Sequence, residues 1–107
     1  MKIIWSPLAV ERMQEIVDYI SLDNMDASIR WAENIFNNIE KLIDFPESGR
    51  IVPETKRNDI KEIVLANYRL IYRIEKNRII ILTIRHFKQI LPTDDLTMPS
   101  KTDEKIT

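Results

Sequence analysis

Apolar residues change their spacing along this chain, and each change marks a different kind of element. Met1-Lys2-Ile3-Ile4-Trp5 is β-branched and aromatic and stops at Ser6-Pro7, which reads as a short strand running into a helix N-cap with proline at N1. From Pro7 to about Leu22, Ala9, Met13, Ile16, Val17 and Ile20 recur every three or four residues, leaving Glu11, Arg12, Glu15 and Asp18 largely outside the apolar face. A break at Leu22-Asp23-Asn24 follows, with Asp26 as the N-cap of a second helix from Ala27 to about Asp44. Ala32, Ile35, Phe36, Ile39, Leu42 and Ile43 repeat the helical spacing there, and Phe45-Pro46 ends it. Two helices joined this closely form an antiparallel hairpin whose shared apolar face needs cover.

The cover comes from the second half of the chain. A loop from Pro46 to Glu54 contains the single glycine, Gly49, read as a turn that needs positive φ. Ile60 to Leu65, Tyr68 to Glu75 and Arg78 to His86 then read as three strands, with hairpin turns at Ala66-Asn67 and Lys76-Asn77. The fold class expected is α+β, in the order β-α-α-β-β-β, with the helix hairpin on one face of an antiparallel sheet. One domain over residues 1–92 is expected, and residues 93–107, polar and without periodicity, read as a mobile tail.

Composition narrows the chemistry. The 107 residues are 44% hydrophobic, enough for one core, and contain no cysteine and one histidine, His86. That excludes a disulfide scaffold, a thiolate or multi-histidine metal site and a cysteine nucleophile, and no phosphate loop or Ser-His-Asp order is present. No cofactor is expected. The longest apolar run of note, Ile79 to Leu82, cannot span a membrane and the start lacks a signal-peptide core, so a soluble cytoplasmic protein is the expectation. The net charge of −1 averages unlike segments: residues 1–49 carry 4 basic and 9 acidic side chains (−5), residues 50–88 carry 10 and 4 (+6), and residues 89–107 carry 2 and 4 (−2). The basic middle suggests an anionic partner, with a solvated basic face as the plainer account.

If Lys76-Asn77 is a two-residue turn, Glu75 pairs with Arg78, and Arg69, Ile71 and Arg73 share a sheet face with Ile80, Ile84 and His86. Arg69 beside His86 could hold a phosphate and exchange a proton. The plainer account has Arg69 salt-bridged to a helix carboxylate and His86 hydrogen-bonded at a strand end. Arg85 faces the other way in this register, and a one-residue slip brings it onto the Arg69 face. Glu54, near Arg50, Lys56 and Arg57, reads either as a general base or as an ion-pair partner. Trp5 and Trp31 could stack on bases, or serve the core.

Four segments taken together resemble the RelE/ParE superfamily of type II toxins: Trp5 to Ala9 with Ile16 to Ile20, Leu42 to Arg50 with Pro53-Glu54, Tyr68 to Ile74, and Ile84 to Gln89. The resemblance implies a small α+β toxin held inactive by a cognate antitoxin in a hetero-oligomer. It also implies one of two activities: binding of DNA gyrase, as in ParE-like members, or cleavage of messenger RNA on the ribosome, as in RelE-like ones. For the ribonuclease, Arg69 and Arg85 would hold the scissile phosphate and His86 would act as acid or base. Phe87 departs from that pattern, because it has no hydroxyl, and Lys56 and Arg57 are the only loop cations resembling a ribonuclease lysine cluster. The chain is therefore expected to be ParE-like, with Arg50, Glu54, Lys56, Arg57, Arg73 and Lys88 as binding residues. A non-toxic, antitoxin-binding regulator is the third possibility.

Overall fold

The computed structural model describes residues 1–87 and 93–96. Strand β1 (Lys2–Trp5) leads into helix α1 (Pro7–Asp23), then α2 (Met25–Asp44), a 3-10 turn (Pro46–Ser48), and strands β2 (Arg50–Ile51), β3 (Ile60–Leu65), β4 (Tyr68–Glu75) and β5 (Arg78–His86). A second 3-10 turn covers Thr93–Leu96. The strands form one sheet in the order β1-β5-β4-β3-β2. β2 through β5 pair antiparallel as a meander, and β1 adds to the edge parallel to β5, so the sheet is mixed.

Ser6 fixes the start of α1. Its Oγ accepts from the Ala9 amide at 3.0 Å and donates to the Leu82 carbonyl at 2.8 Å, so one buried hydroxyl both caps the helix and ties it to β5. The helices are joined by Asn24 alone, which donates its backbone N–H to Ile20 and accepts from the Ala27 amide on its side chain. The N-cap is thus Asn24 rather than Asp26; Asp26 lies in the first turn, where a negative charge suits the helix dipole.

Alternation along the strands gives the sheet two apolar faces. Ala9, Met13, Ile35, Ile39 and Leu42 of the helices pack on Leu70, Tyr72, Ile79, Ile81 and Ile84. The opposite, helix-free face holds Val52, Ile60, Ile71, Ile80, Leu82 and Leu96. Leu96 is only 7% exposed, so packing onto the sheet continues past residue 92. The remainder of the expected tail lies outside the described residues.

Two turns differ from expectation. Gly49 has φ −76°, and left-handed backbone falls instead on Lys56 (φ 57°) and Ala66 (φ 53°). Space is what Gly49 supplies: a Cβ there would lie 2.5 Å from Tyr72 Oη and 2.8 Å from the Glu62 carbonyl oxygen. Tyr72 Oη accepts from the Gly49 amide at 3.0 Å and donates to the Pro46 carbonyl at 2.7 Å, latching the loop against β4.

Candidate functional site

Register decides which candidate side chains meet. From the Lys76-Asn77 turn the β4–β5 pairing begins as expected, Glu75 with Arg78 through Tyr72 with Ile81, but Ile71 then pairs with Thr83. Leu82 is the extra residue of a β-bulge, and everything beyond it shifts by one. Arg69 therefore pairs with Arg85, and His86 with Tyr68. The slip that brings Arg85 opposite Arg69 does occur, through a bulge in mid-strand rather than a longer turn.

The expected Arg69–His86 pairing on one face is consequently absent. Tyr68 and Leu70 pack toward the helices, which puts Arg69, between them, on the helix-free face. His86, two residues after the helix-packed Ile84, lies on the helix side. Its ring is edge-on to Tyr68 at 5.7 Å and stacked with Phe87 at 5.8 Å, while Tyr68 meets Trp31 at 5.3 Å. With Arg12, Glu15, Ile16 and Tyr19 of α1, and with Ile84 and Arg85 of β5, Tyr68 and His86 line a cleft of about 360 Å³. Burial, together with the neighbouring Tyr19, raises the Tyr68 phenol pKa, which keeps it protonated at neutral pH.

Arg69 is enclosed by carboxylates. Its Nη1 and Nη2 form a two-pronged pair with Glu54 at 2.8 and 2.7 Å, while Nε and Nη2 reach Glu62 at 2.7 and 2.6 Å. The Arg69 side chain is 6% exposed and that of Glu62 is 0% exposed. The second Glu62 oxygen accepts from Arg50. Donation of hydrogen bonds to Glu54 pushes the guanidinium pKa up against the opposing effect of burial, and Glu62 adds to the rise. Such a group is a fixed cation whose charge is met inside the protein. Of the two readings of Glu54, the ion pair is the one realised, and the carboxylates on Arg69 come from a loop and a strand, not from a helix.

The other candidates are distributed. Arg57 forks onto Asp59 at 3.0 and 2.6 Å, and that hydrogen bond holds the Asp59 carboxyl below its usual range. Lys56 is exposed at its left-handed corner. Arg73 binds Glu75, and Arg85 lies 3.3 Å from Asp95, which also accepts from Thr83. Lys88 lies outside the described residues. Glu62 was not among the residues singled out from sequence, although it carried a signal: it shares a strand face with Ile60, and a charge on an apolar face must be paired. Among the described residues no group of three or more His, Cys, Asp or Glu is placed to hold a metal, and no helix is long and apolar enough to cross a membrane.

A helix pair over a five-stranded mixed sheet, with Arg69 ion-paired to Glu54 and Glu62 on the bare face, defines a small α+β domain. Residues 3–91 match the family model described as ParE toxin of type II toxin-antitoxin system, parDE, and the chain belongs to this family of type II toxins. It is 34% identical over 93 residues to Putative toxin Y4kP of Sinorhizobium fredii (strain NBRC 101917 / NGR234), covering 85% of this chain and 93% of that one. The fold is similar to a chain of the chromosomal ParDE TA system from P. aeruginosa, with a TM-score of 0.66 at 20% identity over 82% of this chain and 97% of that chain.

Proposed function

We propose that this toxin acts by binding rather than by cutting RNA, that its target is DNA gyrase, and that a cognate antitoxin neutralises it. The observation that carries the non-catalytic reading is the separation of Arg69 from His86. Arg69 is clamped between Glu54 and Glu62 on one face, and His86 sits among aromatic rings on the other. Phosphate binding and proton transfer require both groups within hydrogen-bond reach of one phosphodiester. Gyrase and the antitoxin enter through family membership, since the matched family is one of toxins from paired modules.

The test compares two activities of one purified preparation. Toxin added to gyrase should block supercoiling of relaxed plasmid, while messenger in a translation extract stays intact. Addition of the co-encoded antitoxin should restore supercoiling. Messenger cleavage that disappears in His86→Ala would overturn the binding reading in favour of the ribonuclease.

A further inference from the structure

The basic middle of the chain is less exposed as charge than its total suggests. On the helix-free face Arg50 and Arg69 meet Glu62 and Glu54, and Arg85 meets Asp95. In the loop Arg57 meets Asp59, and Lys61 meets Glu47. At the β4–β5 turn the supply of carboxylates falls short. There Lys2, Arg73, Lys76 and Arg78 surround a single acid, Glu75, a local balance of +3. Both Glu75 oxygens are already taken, one by Arg78 and the other by Arg73.

These side chains share one surface. Lys2 pairs with Arg78 across the parallel β1–β5 ladder, and Arg78 pairs with Glu75 across β5–β4. Lys2, Arg78 and Arg73 each stand two residues from a member of the helix-free cluster or its partly buried neighbour, namely Ile4, Ile80 and Ile71. Lys2, Arg78 and Arg73 therefore share the bare face across three adjacent strands, with Glu75 in register with Lys2 and Arg78, Arg73 two residues further along opposite Ile80, and Lys76 exposed at the turn beside them. The cleft at this turn, about 490 Å³, has Ile4 as its one apolar lining residue.

We propose that this turn is a docking surface for the phosphate backbone of nucleic acid. Three strands about 4.8 Å apart span about 10 Å, about three axial rises of about 3.4 Å, the reach of four successive phosphates on one strand of a duplex. Backbone recognition asks only for cations at such intervals, whereas a docked acidic peptide draws its affinity from apolar anchors in pockets, which this cleft lacks. The exposed acids of the helices, among them Glu11, Asp18, Glu33 and Glu40, lie on the far side of the sheet and repel a polyanion there. The contact is independent of gyrase and carries no sequence preference.

The test uses the full chain and a fluorescently labelled duplex DNA of about 20 base pairs, followed by anisotropy across a salt series. Binding in the micromolar range at low salt is expected, weakening with added salt along a log–log slope of about −3. Lys2→Glu with Lys76→Glu should weaken binding at least tenfold and flatten the slope by about 2. Both lysines are exposed, so an unchanged melting curve should accompany the loss. Lys41→Glu, on α2, should leave binding as it was. Failure to bind duplex at low salt, binding that survives the double reversal, or tighter binding of poly-glutamate than of DNA at equal salt would each overturn the proposal.

Discussion

Replacing Arg69 by methionine should unfold this protein long before it reveals anything about a target. Glu62 has no solvent-exposed side-chain surface and receives two contacts from Arg69, at 2.7 and 2.6 Å, and one from Arg50, whose own side chain is 64% exposed. Without Arg69 the Glu62 carboxylate stays buried with one mobile partner at its rim. Removing one member of a buried ion pair costs about 3–5 kcal/mol, because the other charge is left uncompensated. Glu54, whose side chain is 28% exposed, can rehydrate and adds less, about 1 kcal/mol or below. Arg69→Met should therefore cost about 3–6 kcal/mol, and for a domain near 100 residues each kcal/mol lowers Tm by about 4–8 °C, so a fall of more than about 12 °C is expected.

The decisive comparison is the double variant Arg69→Met with Glu62→Leu. Replacing both buried partners by apolar side chains removes the stranded charge, so the double variant should recover most of the loss, ending within about 2 kcal/mol of the parent chain. Urea and thermal melts followed by far-UV circular dichroism measure all three proteins. A Tm change below about 3 °C for Arg69→Met, or a double variant no more stable than the single, would refute the ion-pair reasoning. The result also guards a functional experiment, since loss of toxicity in an Arg69 variant counts as evidence for catalysis only if the fold survives.

Two further predictions test smaller features. Gly49→Ala should cost about 1–3 kcal/mol in a urea melt, because its Cβ would lie 2.5 Å from Tyr72 Oη and 2.8 Å from the Glu62 carbonyl; Tyr72→Phe should relieve only part of this, since the backbone contact remains. Burial opposes ionisation of Glu75, yet hydrogen bonds from Arg78 and Arg73 outweigh it and hold the carboxyl below its usual range. The group therefore adds stability at pH values above about 4.3, its unfolded value, and that stability is lost as pH falls through the lower folded value. Glu75→Gln should be less stable at neutral pH and should flatten the acid limb of the stability curve below about pH 4.3, with the residual slope reporting Asp59 and other carboxylates.

The elements were legible because their signals are local. Ser6-Pro7 marks a helix start in sequence and makes one in space; β3, β4 and β5 begin and end where the β-branched runs do. β2 was missed because two residues, Arg50 and Ile51, are too few to show alternation. What sequence could not convey was register beyond the turn. The Lys76-Asn77 turn sets the pairing from Glu75 to Tyr72, but the bulge at Leu82 lies at the end of the unbroken apolar run Ile79 to Leu82, where nothing marks one residue as extra. That single residue moves Arg85 opposite Arg69 and puts His86 on the helix side, which takes apart the pairing that local spacing suggested. Gly49 misled for a related reason: a unique glycine signals a backbone constraint, and whether the constraint is a dihedral angle or a nearby phenol depends on Tyr72, 23 residues away.

Charge shows the same limit, and bears on function. Segment totals made the sheet half uniformly basic, yet a total cannot say which acids fold onto which bases. Glu54, Asp59 and Glu62 come from within the basic segment and are already counted in its +6, whereas Glu47 and Asp95 arrive from either side of it and lower the excess by two. A site that orients a scissile phosphate needs guanidinium groups held in reserve for the substrate, and Arg69 is committed in both directions. Part of what stays uncompensated lies where Glu75 engages Arg73 and Arg78 while Lys2 and Lys76 stand beside them, at the end of the sheet farthest along β4 and β5 from the His86 pair. A positive field at this turn favours association with a large anionic surface over chemistry at a point, which accords with the proposed binding mode of action.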